Sequence, residues 1–151
     1  MCLLALALDE SRRFPLVVAA NRDEFFDRPA SRLAWWSPAA DAPDILSGKD
    51  LSAGGTWMGL TAAGRLAMLT NVRTGQPAEV GTPSRGLIVP RWLRGDQTAD
   101  RFWPHVALSG HAPYNLIAVD FRQGDCFWAS SERVHPQRLE RGLFGLSNSG
   151  L

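Results

Sequence analysis

Cys2-Leu3-Leu4-Ala5-Leu6-Ala7-Leu8, followed by Pro15-Leu16-Val17-Val18-Ala19-Ala20 and then by Asn21-Arg22-Asp23-Glu24-Phe25-Phe26-Asp27-Arg28-Pro29-Ala30, is the stretch that decides how this chain folds. The first run is continuously apolar and the second is β-branched at its centre, so both read as buried strands. Between them Asp9-Glu10-Ser11-Arg12-Arg13-Phe14 is polar and short, and an antiparallel hairpin is the simplest connection. If Leu8 faces Pro15, Cys2 lies opposite Asn21; a slip of one residue puts it opposite Arg22. Facing residues in such a ladder lie roughly 5 Å apart. Either register therefore carries the polar block that begins at Asn21 up to Cys2. That block is too polar for a core strand and too dense in specific side chains for an ordinary turn. It reads as a site.

Outward from this hairpin, residues 27–53 are rich in Pro, Ala, Ser and Asp and are predicted to be mostly loop, anchored to the body by the Trp35-Trp36 pair. Gly54-Gly55-Thr56-Trp57-Met58-Gly59-Leu60 enters a second hairpin that turns at Thr61–Arg65 and returns through Leu66–Asn71. Ser84–Arg94 is helix-like with Ser84 as its cap, and Pro90 is a candidate kink. Apolar residues at Ala99, Phe102, Trp103, Val106 and Ala107 follow helical spacing, against which Pro104 counts. Strands return at Tyr114–Phe121, Cys126–Ser130 and Gly142–Leu146. Strands, then two helices, then strands imply an α+β sheet with its helices grouped on one face.

The 151 residues suit a single domain able to bury a core. A formal charge of +1 gives no electrostatic footprint for nucleic acid. The start is apolar but lacks a basic leading segment, no run approaches the ~20 apolar residues of a membrane span, and a cytoplasmic, reducing setting is expected. Cys2 and Cys126 match no zinc or redox spacing, and His105, His111 and His135 follow no metal or triad spacing, so neither a metal site nor a cofactor is expected.

Cysteine is only a few per cent ionised at neutral pH, and a catalytic one needs a base or a positive neighbour. An N-terminal cysteine carries its own base: an α-amine, with a reference pKa of roughly 8, can take the thiol proton directly or through one water. Removal of Met1 would leave Cys2 in that position. Arg22 would then favour the thiolate and Asp23 would orient the ammonium. Asn71 and Asn148, each at a strand end, are candidate donors to a tetrahedral oxyanion. Against this stand plainer readings: a buried structural cysteine, a capped turn, and two turn asparagines.

Met1-Cys2, Asn21-Arg22-Asp23-Glu24 with Arg28-Pro29, Gly55-Thr56-Trp57, Thr70-Asn71-Val72-Arg73, Ser84-Arg85-Gly86, Tyr114-Asn115-Leu116 and Gly145-Leu146-Ser147-Asn148 together resemble the NRDE family, whose eukaryotic members are called transport and Golgi organisation 2 proteins. The resemblance covers essentially the whole chain. It implies kinship with the N-terminal nucleophile (Ntn) hydrolases: an αββα sandwich of antiparallel sheets, with the cysteine after the initiator methionine as nucleophile. Carried over from the cysteine amidases of that superfamily, Cys2 is the nucleophile, Arg22 and Asp23 flank it, and Asn71 and Asn148 fall at asparagine positions by order and context. Family members continue well beyond Leu151, so the expectation is one domain, residues 1–151, that holds only part of the family fold. An exposed sheet edge or apolar face and self-association into a homo-oligomer follow from that. The function implied is a cysteine amidohydrolase acting on a small-molecule amide. Because some members are linked to haem or lipid handling, the alternative is a non-enzymatic haem or lipid carrier, although no Cys-Pro or Cys-x-x-Cys-His signature occurs. A third reading is a fragment that only binds a partner.

Overall fold

The computed structural model describes residues 1–73, 75, 79–149 and 151; Gly150, within the expected closing turn, lies outside them. The first two strands, β1 (Leu3–Leu8) and β2 (Leu16–Asn21), form the expected hairpin. Leu8 pairs with Leu16 and Leu3 with Asn21, which is the register slipped by one from a Leu8–Pro15 pairing. Asp9, at a positive φ of 54°, turns the chain and donates its backbone N–H to Pro15 O at 2.8 Å.

Short strands β3 (Ala34–Trp36) and β4 (Ile45–Ser47) occupy the region expected to be mostly loop. Three residues are too few for a period to register in sequence, and these strands exist by pairing: Trp35 faces Leu46, and Trp36 Nε1 donates to Ser47 Oγ at 2.8 Å. Trp36 packs against the core and anchors the region from within a strand, whereas Trp35, expected to share that role, is exposed. Strands β5 (Met58–Thr61) and β6 (Arg65–Asn71) form the second hairpin, closed by Gly64 at φ 86°.

A 3-10 turn (Arg85–Leu87) leads into α1 (Ile88–Arg94), followed by α2 (Ala99–Ala107). Ser84 precedes the turn, but its side chain makes no capping bond. Pro90 sits in the first turn of α1, where a missing N–H costs nothing. Pro104 is accommodated inside α2, next to exposed His105 and opposite the buried Phe102, Trp103 and Val106. Strands β7 (Tyr114–Asp120), β8 (Asp125–Ser130), β9 (Gln137–Arg138) and β10 (Gly142–Leu146) complete the chain.

Among the described residues the ten strands make two antiparallel sheets, β3-β4-β5-β6-β7-β8-β9 and β10-β1-β2. Alternation along β6 and β7 supplies two cores. Ala67, Leu116 and Ala118 pack with Val89, Trp92, Phe102 and Val106 of the helices. Leu66, Met68, Ile117 and Val119 pack with Leu4, Leu6 and Leu146 of the small sheet. Strand β7 is buried at every position because it is covered on both faces. The layers run helices, large sheet, small sheet. This is an α+β fold dominated by antiparallel sheet, with both helices on one face. The other face of the small sheet is exposed and apolar, with Leu3, Val17 and Leu143 at 49%, 47% and 77%.

Candidate functional site

Four strand ends meet at Cys2, and the register explains why. Continuing β1 against β2 by one residue sets Arg22 opposite Cys2; continuing β1 against β10, where Leu4 pairs with Leu146, sets Asn148 opposite it on the other side. From the large sheet, the end of β6 reaches the same place through Arg73 N–H, which donates to Asn148 O at 3.1 Å. Beneath this junction Thr70 Oγ1 donates to Ser147 O at 2.8 Å, and the fully buried Asn115 bridges Thr70 Oγ1 and Trp128 Nε1. The Tyr114-Asn115-Leu116 and Thr70-Asn71 motifs therefore brace the Ser147-Asn148 turn from below.

Asn148 holds the Cys2 backbone. Its Oδ1 accepts the Cys2 N–H at 2.9 Å, and its Nδ2 donates to Asn71 O at 2.8 Å, so both ends of the amide are engaged and the side chain is held in one orientation. The Cys2 thiol is half-buried; Asp23 N–H points at Sγ from 3.4 Å, and Asp23 O lies 3.9 Å from Sγ. Asn21 clamps the neighbouring backbone, accepting from Leu3 N–H at 2.9 Å and donating to Met1 O at 3.1 Å. The Met1 ammonium pairs with the Asp23 carboxylate, and Arg73 approaches the same carboxylate at 3.9 Å.

A cavity of about 300 Å³ opens beside the thiol, lined by Cys2, Arg22, Asp23, Thr56, Trp57, Thr70, Asn71 and Arg85 among others. Arg22 stacks its guanidinium on Trp57 at 4.5 Å. Arg28 and Asp50 close one rim through paired contacts of 2.9 and 2.8 Å, with Glu24 3.8 Å from Arg28. Burial pushes the Asp50 carboxyl up, but the Arg28 hydrogen bond, the Ala53 and Ser52 N–H donors and the Arg28 charge outweigh it and hold the carboxyl below its ordinary range. On the opposite wall Thr56 N–H donates to Gly86 O at 3.0 Å. Gly55 and Gly86 approach so closely there that a Cβ on Gly55 would lie 2.4 Å from the Gly86 carbonyl. This contact joins Gly55-Thr56-Trp57 to Ser84-Arg85-Gly86 and fixes the placement of Arg85, whose Nε donates to Ala112 O at 3.1 Å.

Of the residues marked in the sequence, Cys2, Asp23 and Asn148 are joined by hydrogen bonds or backbone contacts, and Arg22 and Asn71 share the cavity wall. Sequence reasoning assigns no site role to Asp50 or Arg85: Arg85 lies in the Ser84-Arg85-Gly86 element that carries the resemblance, and Asp50 joins the site through its ion pair with Arg28 of Arg28-Pro29. No helix is long and apolar enough to cross a membrane, and no group of three potential metal ligands occurs, among the described residues.

The family model for Transport and Golgi organisation 2 matches residues 1–151. The Transport and Golgi organization 2 homolog of Mus musculus is 34% identical over 163 residues, covering 99% of this chain and 57% of the mouse protein. The Homo sapiens homolog is 33% identical over 162 residues with the same coverage, and the Drosophila melanogaster protein is 34% identical over 107 residues, 64% of this chain and 36% of its own length. The chain thus spans 57% of the length of the mammalian relatives it matches.

Proposed function

The chain belongs to the Transport and Golgi organisation 2 family, and on that premise we propose that it is a cysteine amidohydrolase of the Ntn type, acting on a small-molecule amide through an acyl-enzyme on Cys2. The observation that carries this reading is the seat of Cys2: a half-buried thiol on a cavity wall whose own backbone nitrogen is held by Asn148 Oδ1 at 2.9 Å. With Met1 removed, that nitrogen becomes an amine, and the Asp23 carboxylate loses its Met1 partner beside a new ammonium.

The neutral amine takes the Sγ proton, and the thiolate attacks the amide carbon. The carbonyl π pair moves to oxygen, where the Asn71 side chain and the second Nδ2 hydrogen of Asn148, the first being held by Asn71 O, serve as donors. Collapse breaks the C–N bond, and the leaving amine receives the proton held by the Cys2 ammonium. Water, activated by the same amine, then attacks the thioester, releasing the carboxylic acid and restoring the thiol. Arg22 favours the thiolate, and Asp23 holds the amine in place when it is protonated.

The layer order supports an αββα reading as part of the same proposal, in which a fourth, helical layer would lie on the exposed face of β10-β1-β2. In this reading the domain, residues 1–151, is part of that fold. Comparing variants on a panel of acyl amides tests the chemistry: Cys2→Ala should abolish turnover, whereas Cys2→Ser should keep slow turnover through its weaker nucleophile. Unchanged turnover in Cys2→Ala sinks the proposal. A second reading, a non-enzymatic lipid carrier, draws on a different feature, the apolar groove of about 480 Å³ lined by Leu16, Val18, Leu33, Leu46, Met58 and Leu60. Saturable uptake of a fluorescent fatty acid, lost on Met58→Asp, would favour it.

A further inference from the structure

We infer that the Cys2 cavity selects an anionic substrate, an amide carrying a carboxylate a few bonds from the scissile carbon, and that Arg85 is the group that binds the carboxylate. This deepens the amidohydrolase reading and rests on it for the reaction, though not for the binding.

A count of charges on the cavity wall leads there. Arg22, Arg28 and Arg85 line it together with Asp23, Glu24 and Asp50. The acids are already engaged: Asp50 and Glu24 by Arg28, and Asp23 by the amino terminus with Arg73 beyond. Arg22 and Arg85 are left with no carboxylate within ion-pair distance among the described residues, and the residues outside that description, Thr74, Gln76, Pro77, Ala78 and Gly150, include no acid. Arg22 has the Trp57 ring beneath it. Among the described residues Arg85 has the Ala112 carbonyl on Nε and no charged acceptor for its remaining N–H donors. Half-burial without a counter-ion pulls its pKa below the ordinary arginine value, yet an arginine stays charged at any physiological pH. A guanidinium taken from water and left unpaired is costly. Here the Gly55–Gly86 contact and the Thr56–Gly86 hydrogen bond hold it in place. A planar fork fixed on a cavity wall suits bidentate recognition of a carboxylate, and about 300 Å³ lies at the small end of ligand cavities, which fits a compact molecule.

The test compares alkylation of Cys2 by iodoacetate and by iodoacetamide, read by peptide mapping. The two reagents differ in charge, and the ratio of their rates cancels any change in thiolate fraction. A cavity with an uncompensated cation raises the iodoacetate:iodoacetamide ratio above that of a free cysteine peptide. Arg85→Gln lowers the ratio roughly fivefold or more, the size expected of one unit charge acting at short range in a hydrated pocket, and Arg85→Lys restores part of it. A ratio equal to the free peptide's and unmoved by Arg85→Gln overturns the inference while leaving Cys2 as a nucleophile. If neither reagent labels Cys2, the nucleophile reading fails, and the binding inference is judged on Cys2→Ala protein. There, benzoate but not benzamide shifts the Arg85 Nε–H resonance, identified by its loss in Cys2→Ala/Arg85→Gln. No shift with benzoate overturns it.

Discussion

The two ends of the β1 strand differ in how their charges and their cysteines are treated. At the Leu8 end lies a cavity of about 500 Å³ lined by Asp9, Asp125, Cys126, Arg138 and Arg141. There Arg138 pairs with Asp125 at 3.0 Å, Arg141 with Glu10 at 3.1 Å, and Arg65 and Arg122 share Asp120. The thiol of Cys126 is buried, and desolvation, reinforced by the charge of Asp9, pushes its pKa up to about 12. At the Cys2 end the cavity is smaller, two of its arginines have no carboxylate partner among the described residues, and the thiol is half-buried beside Met1. Both ends have a cavity and a cysteine. Only one combines an accessible thiol, a nitrogen held by a side chain and uncompensated positive charge. Cavity size alone would choose the Leu8 end.

Exchanging the cysteines breaks the comparison most severely. Cys126→Ser should leave acyl capture at Cys2 intact, whereas Cys2→Ala should abolish it, as seen by mass spectrometry after exposure to an electrophilic amide. Next in size is Gly55→Ala. The added methyl meets backbone rather than a flexible side chain, so a destabilisation of about 3 kcal/mol is expected, at the upper end of overpacking effects. Chemical denaturation would measure it, with loss of the Arg85-dependent alkylation ratio at the same substitution. Asn148→Ala should slow capture roughly ten- to a hundredfold, the range given by the 1.5–3 kcal/mol of a hydrogen bond to a charged group, with the protein still folded by circular dichroism.

The smallest effect concerns pH. The Asp50 carboxyl is held below its ordinary value in the folded protein, so its stabilising contribution is fully present above the unfolded value of roughly 3.9 and is lost as pH falls through the lower folded value. Hydrogen exchange at the Ser52 and Ala53 amides, which donate to Asp50 Oδ1 at 2.9 and 3.1 Å, should accelerate in that acid window beyond the intrinsic pH dependence. Arg28→Met should narrow the window, since the Ser52 and Ala53 donors remain.

The hairpins, both helices and the pairing of Cys2 with the Arg22-Asp23 block were legible because each rests on local periodicity or on counting along a ladder. The pairing of β10 with β1 was not, since nothing near residue 146 indicates which distant strand it joins; that pairing puts Asn148 opposite Cys2. It also gives Asn148 a contact that sequence alone does not show, the hold on the Cys2 nitrogen, beside its place as a candidate oxyanion donor. The surroundings of Arg85 were illegible for a related reason: sequence shows a charge, but which carboxylates come within its reach appears only once its neighbours are placed.

The N-terminal-nucleophile chemistry turns on a single covalent fact, because the Cys2 nitrogen is a peptide amide while Met1 remains and cannot serve as a base. Intact-mass and peptide mapping of the purified protein after brief exposure to a β-lactam probe measures it directly. The expected result is a chain beginning at Cys2 that carries one acyl adduct on that residue and none on Cys126. Active protein that retains Met1, or adducts that form equally well on Cys2→Ala protein, would contradict it.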